Sequence, residues 1–364
     1  MQVFKALGVP PKGKRLDRMC SAPNFDGRRF HNTLPTHHFV SKAAGKWLRG
    51  APNRTPKQTV PTIGLAADTF ARHPATPHAT WLGHSAVLIE LDGLRILTDP
   101  VLVGRSSPSN IAGPKRFFKS PIAAAELPDL DIVLLSHDHF DHLSYATVLV
   151  LKNKTAQWLM PLGVGSHLEA WGVDPDRITE LEWWESHDLG PVKLTLTPCR
   201  HFSGRTLLDK DRTLWGSWCI HGPSGSLFFS GDTGMTPQFN EIGERMGPFD
   251  LTLIESGAYD PAWPDVHLGP EQALDVHRAV RGKVMLPIHW GTFDLALHPW
   301  IEPAERLMAA DRADVHLTLP IPGTRFSWNS PPTLRRWWPD LPWDTALERP
   351  VRATGLHTPH YRSA

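Results

Sequence analysis

Leu134-Leu135-Ser136-His137-Asp138-His139-Phe140-Asp141-His142 is the stretch on which the fold turns. The apolar run Ile132 to Leu135 delivers the chain to a loop holding three histidines and two aspartates within six positions. Alternate side chains of extended backbone share a side, so the His-x-His pair His137 and His139 aims at one point. Asp141 and His142, read as the opening of the next helix, turn toward a second, neighbouring point. Imidazole and carboxylate donors without a thiolate suit zinc, iron or manganese.

Three further residues each end an apolar run. His201 follows Leu194-Thr195-Leu196-Thr197-Pro198, Asp232 follows Leu227-Phe228-Phe229-Ser230-Gly231, and His289 follows Val284-Met285-Leu286-Pro287-Ile288. The C-terminal ends of strands are where α/β proteins gather their sites. Each residue alone says little, but with the loop they complete two coordination spheres. The expectation is a two-metal site.

The surrounding chain reads as α/β with many strands. Thr80 to Leu91 alternates, Gly93 turns and Leu94 to Thr98 returns, a hairpin pattern. Trp158 to Leu162, Val192 to Thr197 and Leu251 to Ile254 are further strand candidates. Leu143 to Leu151, Pro270 to Val280 and Pro303 to Ala310 carry helical patterns. Strands followed by mixed strands and helices, twice over, suggest two sheets face to face with helices outside, a four-layer αββα sandwich. Periodicity by itself supports only α/β with many strands, and the four layers lean on the metal motifs. No repeat of fixed period is present, which argues against a solenoid or propeller. Residues 1–75, with one helical candidate at Ser41 to Arg49, read as an extension wrapped on a core at 76–330. Residues 331–364 read as an irregular tail.

Composition narrows the function classes. The 364 residues carry a net charge of +1, so no global field argues for nucleic acid. Three dispersed cysteines, Cys20, Cys199 and Cys219, suggest a reducing compartment without a disulfide framework. No apolar stretch is long enough to span a bilayer, and the N-terminus lacks a secretory apolar region. The expectation is a cytoplasmic protein.

The HxHxDH loop, the later histidine, Ser230-Gly231-Asp232-Thr233 and the final histidine resemble the metallo-β-lactamase fold. That resemblance implies His137, His139 and His201 on one metal and Asp141, His142 and His289 on the other, with Asp232 bridging. Longer strings narrow the family: Thr80-Trp81-Leu82-Gly83-His84-Ser85, Leu97-Thr98-Asp99-Pro100, Gly113-Pro114-Lys115-Arg116-Phe117, Leu214-Trp215-Gly216-Ser217-Trp218, Gly257-Ala258-Tyr259 and Ile288-His289-Trp290-Gly291-Thr292-Phe293. Over residues 25 to 325 they resemble the N-acylphosphatidylethanolamine-hydrolysing phospholipase D family. One departure is Glu255-Ser256, which sets a carboxylate where the family carries apolar residues. In the outer ring, His267 is expected at the rim, holding a phosphate or protonating a leaving group. His84 and Tyr259 are candidates for substrate contact, and Asp99 for holding a metal-binding histidine in place. Asp141, Asp232 and His267 are the candidate catalytic residues, while His298 falls outside the site.

The resemblance implies a phosphodiesterase with two zinc ions that cleaves an N-acylated phosphatidylethanolamine. A lipid substrate calls for peripheral membrane contact, with candidates in the basic N-terminus (Phe4, Lys5, Leu7, Lys12, Lys14, Arg15) and in Arg335-Arg336-Trp337-Trp338 with Trp343. A lactonase or phosphodiesterase acting on a soluble small molecule, a nuclease and a non-enzymatic metal-binding module stay open, as does a homodimer.

Overall fold

The computed structural model describes residues 2–37, 50–310 and 312–356, so the helical candidate Ser41 to Arg49 lies outside the described residues. The N-terminal segment carries two short helices, α1 (Gln2–Ala6) and α2 (Lys14–Cys20). It docks through Arg15, which pairs with Glu180 at 2.6 Å and Glu169 at 2.8 Å, and through the Lys5 carbonyl, which accepts from Trp171 Nε1.

The expected hairpin is a three-strand meander: β1 (His78–Gly83), β2 (Ala86–Leu91) and β3 (Leu94–Thr98). The unforeseen break falls at His84-Ser85, where Gly83 (φ 103°) and His84 (φ 55°) both enter the left-handed region. Side chains alternate between two cores. Trp81, Val87 and Ile89 enter one, and Leu82, Ala86 and Leu88 enter the other. A sheet buried on both faces needs layers on both sides.

β4 (Leu130–Leu134), β5 (Thr155–Pro161) and β6 (Ile178–Leu181) extend this sheet in parallel. Between them lie α3 (Tyr145–Leu151) and α4 (Gly165–Ala170), which cover the outer face through Val148, Leu151 and Leu168. The second sheet comprises β7 (Ser186–Leu189), β8 (Val192–Thr197), β9 (Ser217–Gly222), β10 (Gly225–Phe229), β11 (Phe249–Glu255), β12 (Gly282–Ile288) and β13 (His316–Leu317), in the order β13-β12-β11-β10-β9-β8-β7. β14 (Arg325–Phe326) pairs with β1, so among the described residues each sheet has seven strands. The crossovers α5 (Gln238–Met246), α6 (Pro270–Ala279) and α7 (Glu302–Ala309) flank the second sheet. Residues of both sheets meet in one core, among them Trp81, Leu194, Trp218 and Phe228, and the architecture is an α/β sandwich of four layers.

The Trp-rich tail corrects an expectation. Trp338 is only 4% exposed, and its Nε1 donates to Glu305 Oε1 at 2.6 Å. Trp337 packs against Trp290 and Trp300 and donates to the Leu319 carbonyl, while Arg336 pairs with Glu305 at 2.7 Å. These rings are committed to the α7 side of the core rather than offered to a membrane. Trp338→Ala is therefore expected to destabilise the fold by about 3 kcal/mol, the scale for emptying a buried aromatic site. Chemical denaturation measures it, and an unchanged midpoint with lost vesicle binding would restore the interfacial reading.

Candidate metal centre

The site gathers at strand ends. β4 leads into the His137–His142 loop, β3 into Asp99, β8 into His201, β10 into Asp232 and β12 into His289, while β11 ends on Glu255. Asp141 and His142 do not open a helix as expected. They lie in a turn closed by His142 N–H and Leu143 N–H donating to the His139 carbonyl, and α3 begins only at Tyr145 behind the Ser144 cap. The turn lets both side chains point back into the cluster.

Two donor groups form. In the first, His139 Nδ1 lies 2.8 Å from His137 Nε2 and 3.3 Å from His201 Nε2. In the second, Asp141 Oδ2 lies 3.3 Å from His289 Nε2, 3.5 Å from His142 Nε2 and 3.1 Å from His84 Nε2. Asp232 Oδ2 stands between them, 3.0 Å from His142 Nε2, 3.1 Å from His289 Nε2, 3.8 Å from His201 Nε2 and 3.9 Å from His137 Nε2. Burial alone would raise the Asp232 carboxyl, but His142 and His289 hold it well below the usual carboxylate range. Burial opposes charge on His289 too, yet Asp232 and Asp141 push it up to about 10.

These residues fit cations. Asp232 Oδ1 is buried without a hydrogen-bond partner, a costly state that coordination relieves. Each group brings at least three imidazole or carboxylate donors within 4.8 Å of one another. On three of the five histidines the nitrogen facing away is held: His142 Nδ1 lies 2.6 Å from Asp99 Oδ2, His201 Nδ1 2.8 Å from the Val266 carbonyl, and His137 Nδ1 2.9 Å from Ser136 Oγ. Such partners fix the tautomer that leaves Nε2 free to coordinate. His84, Asp99 and His289 all adopt positive φ (55°, 32° and 64°), a conformation costing each about 1–3 kcal/mol, and three such residues at one site mark it as functional.

The outer residues sort differently from expectation. His267 sits at the rim with Nδ1 2.8 Å from Glu255 Oε2. Glu255 accepts from Thr233 N–H and Leu268 N–H through its other oxygen, so the departing carboxylate is a buried brace rather than a lining of the cleft. Burial and the neighbouring Asp232 carboxylate push Glu255 well above the usual range. His84 is buried within the second donor group, its ring centre 4.1 Å from that of His289, and does not line the substrate cleft. Tyr259 does not line it either: its hydroxyl donates to Glu302 at 2.7 Å, and its ring stacks on His298. Tyr259 is fully buried and offers no surface to the cleft. His298 is itself buried, accepting from Ala258 N–H.

One brace went unforeseen in the sequence. Asp138, within the loop, accepts from Gly204 N–H at 2.7 Å and Thr213 Oγ1 at 2.9 Å and lies 3.2 Å from His167 Nε2. Its neighbours are 29 to 75 residues away, so no local spacing announces them. The cleft above the centre, about 320 Å³, is lined by His139, Asp141, Asp232, His267 and His289 and by the apolar Phe202, Ala258, Trp263, Val266 and Leu295.

Known proteins share this chain's pattern. Residues 94–290 match the beta-lactamase superfamily domain. An uncharacterised protein of Mycobacterium tuberculosis is 43% identical over 327 residues, 87% of each chain. N-acyl-phosphatidylethanolamine-hydrolyzing phospholipase D 1 of Caenorhabditis elegans is 38% identical over 262 residues, 68% of this chain and 73% of that protein. The solved structure of a metallo hydrolase from Ignicoccus hospitalis aligns with a TM-score of 0.53 at 21% identity, covering 69% of this chain and 98% of that one. With its two donor groups set at the strand ends of such a sandwich, the chain belongs to the metal-dependent hydrolases of the beta-lactamase superfamily, in the family of the N-acyl-phosphatidylethanolamine-hydrolysing phospholipase D proteins.

Proposed function

We propose that the chain hydrolyses the phosphodiester of an N-acylated phosphatidylethanolamine, releasing an N-acylethanolamine and phosphatidic acid. The observation that carries this reading is one cleft in which the double donor group faces an apolar wall of Phe202, Trp263, Val266 and Leu295. A charged diester next to hydrocarbon is the chemistry such a cleft suits. The relative in Caenorhabditis elegans, named for this lipid, supports it.

Two divalent cations, zinc in this reading, would supply Lewis-acid polarisation of the phosphoryl oxygens and a water acidified to near-neutral pH. His137, His139 and His201 would hold one, and Asp141, His142 and His289 the other, with Asp232 shared. His84, within reach of Asp141, orients that carboxylate. Glu255, held protonated, would donate to His267 Nδ1 and leave the ring's own proton on Nε2. As that proton passes to the departing alkoxide, the Glu255 proton would replace it at Nδ1.

A lipid substrate would call for peripheral contact with a membrane surface; no helix among the described residues is long and apolar enough to cross one. The test is mass spectrometry of mixed phospholipids after incubation with metal-loaded protein. Loss of N-acylated phosphatidylethanolamine with matching gain of N-acylethanolamine is expected. Hydrolysis of water-soluble diesters or lactones alone would replace the lipid with a soluble substrate.

A further inference from the structure

Gly83, at the turn that carries His84, leaves room for a buried arginine. A β-carbon there would meet Arg116 Nη2 at 2.5 Å and the Phe118 ring at 2.9 Å. Arg116 donates to two neutral carbonyls, Val101 O at 2.8 Å and Leu82 O, and its Nε is buried without a partner. The rings of Phe118 and Phe293 stand 5.0 and 5.7 Å from the guanidinium carbon. Among the described residues Arg116 forms no ion pair, and burial brings it down to about 9. A positive charge set among apolar rings without a counter-charge is costly.

Beside it opens a groove of about 610 Å³ whose charged lining is Arg54, Arg105, Lys115, Arg116 and Asp294. Four cations face one carboxylate, a local excess of three positive charges on a chain whose total is +1. Asp294 pairs with Arg54 at 2.9 Å, so it does not neutralise the other three. Arg105 donates to the Gly113 carbonyl at 2.5 Å, and an isolated bridge between Arg105 and Lys115 sets the two side by side. The groove shares no lining residue with the cleft above the donor groups. It lies against the same wall, however, because Phe117 N–H donates to the Thr292 carbonyl and His84 N–H to Thr292 Oγ1.

We propose that this groove is a second, non-catalytic anion site that binds a phosphate group, carried by a lipid headgroup or free in solution. Arg105 and Lys115 make the contacts, and Arg116 supplies the buried charge behind them. Three uncompensated cations match a phosphate dianion better than a single carboxylate, and an arginine fork fits its oxygens. The site stands independently of the lipid reading of the cleft.

The test reads Lys115 directly, because the donor groups can also attract phosphate. Metal-loaded protein is treated with an amine-acylating reagent while inorganic phosphate is titrated, and acylation of Lys115 is followed by peptide mass spectrometry. Phosphate is expected to shield Lys115, in wild type and in Asp232→Asn alike. Arg105→Gln should weaken shielding about tenfold, the scale of one charged hydrogen bond. Arg105→Lys, which keeps the charge but loses the fork, should recover part of it, separating a lost contact from a disturbed fold. Vesicles of phosphatidylcholine with and without phosphatidic acid form the second arm. Shielding that appears only with phosphatidic acid assigns the phosphate to a lipid headgroup, and shielding by inorganic phosphate alone assigns it to a soluble ligand. Absence of shielding by either probe, or shielding untouched by Arg105→Gln, would overturn the site.

Discussion

Asp232→Asn is expected to reduce bound metal from two ions per chain to at most one and to lower kcat by roughly 10³-fold or more, the scale of losing a preorganised electrostatic group. Asp232 Oδ2 lies within 3.9 Å of histidines from both donor groups, so one negative charge serves both cation positions. The amide keeps the shape and removes that charge. Elemental analysis and turnover of a simple phosphodiester measure the two effects, and circular dichroism shows whether the sandwich persists. His298→Ala makes a poor control because that ring is buried against Tyr259. His316→Ala, exposed on the edge strand β13, serves instead and should match wild type. Two metals retained in Asp232→Asn, with activity within tenfold of wild type, would move the bridge elsewhere.

Asp99→Ala should weaken metal binding by roughly 10–100-fold, the usual consequence of removing a partner that orients a ligand. Asp99 Oδ2 faces His142 Nδ1 at 2.6 Å and accepts from Ser136 Oγ at 2.6 Å, while Oδ1 accepts from Ser136 N–H at 2.8 Å. With its proton committed to Asp99, Ser136 Oγ accepts from His137 Nδ1–H, 2.9 Å away. One carboxylate thus fixes two imidazoles, one in each donor group. The deletion also strands a buried Ser136 N–H, a further cost of about 1–3 kcal/mol in stability. Competition with a chromophoric chelator reads the first effect and thermal melting the second. Lower melting with unchanged metal affinity would make Asp99 a brace of the fold alone.

Features that depend on a few consecutive residues can be read from the chain directly. An apolar strand ending in His-x-His, and strands ending in His201, Asp232 and His289, place donors by local backbone geometry. Every one of them arrives at the same end of the two sheets. Strand and helix periods show only that the chain is α/β with many strands, because they record which faces are buried and not what covers them. The αββα layering is legible through the metal motifs.

What surrounds each donor is set by long-range packing. His84 joins Asp141 across 57 residues, and a left-handed turn at Gly83-His84, hidden within an unbroken alternation, brings it there. Tyr259 belongs to Glu302 and His298 instead of the cleft, and the tail tryptophans belong to the core. Glu255 became a brace because Thr233, His267 and Leu268 fold back onto it. A side chain's type states what it can bond. Burial and orientation come from segments far away in the chain, whose approach is set by packing and leaves no local spacing to read.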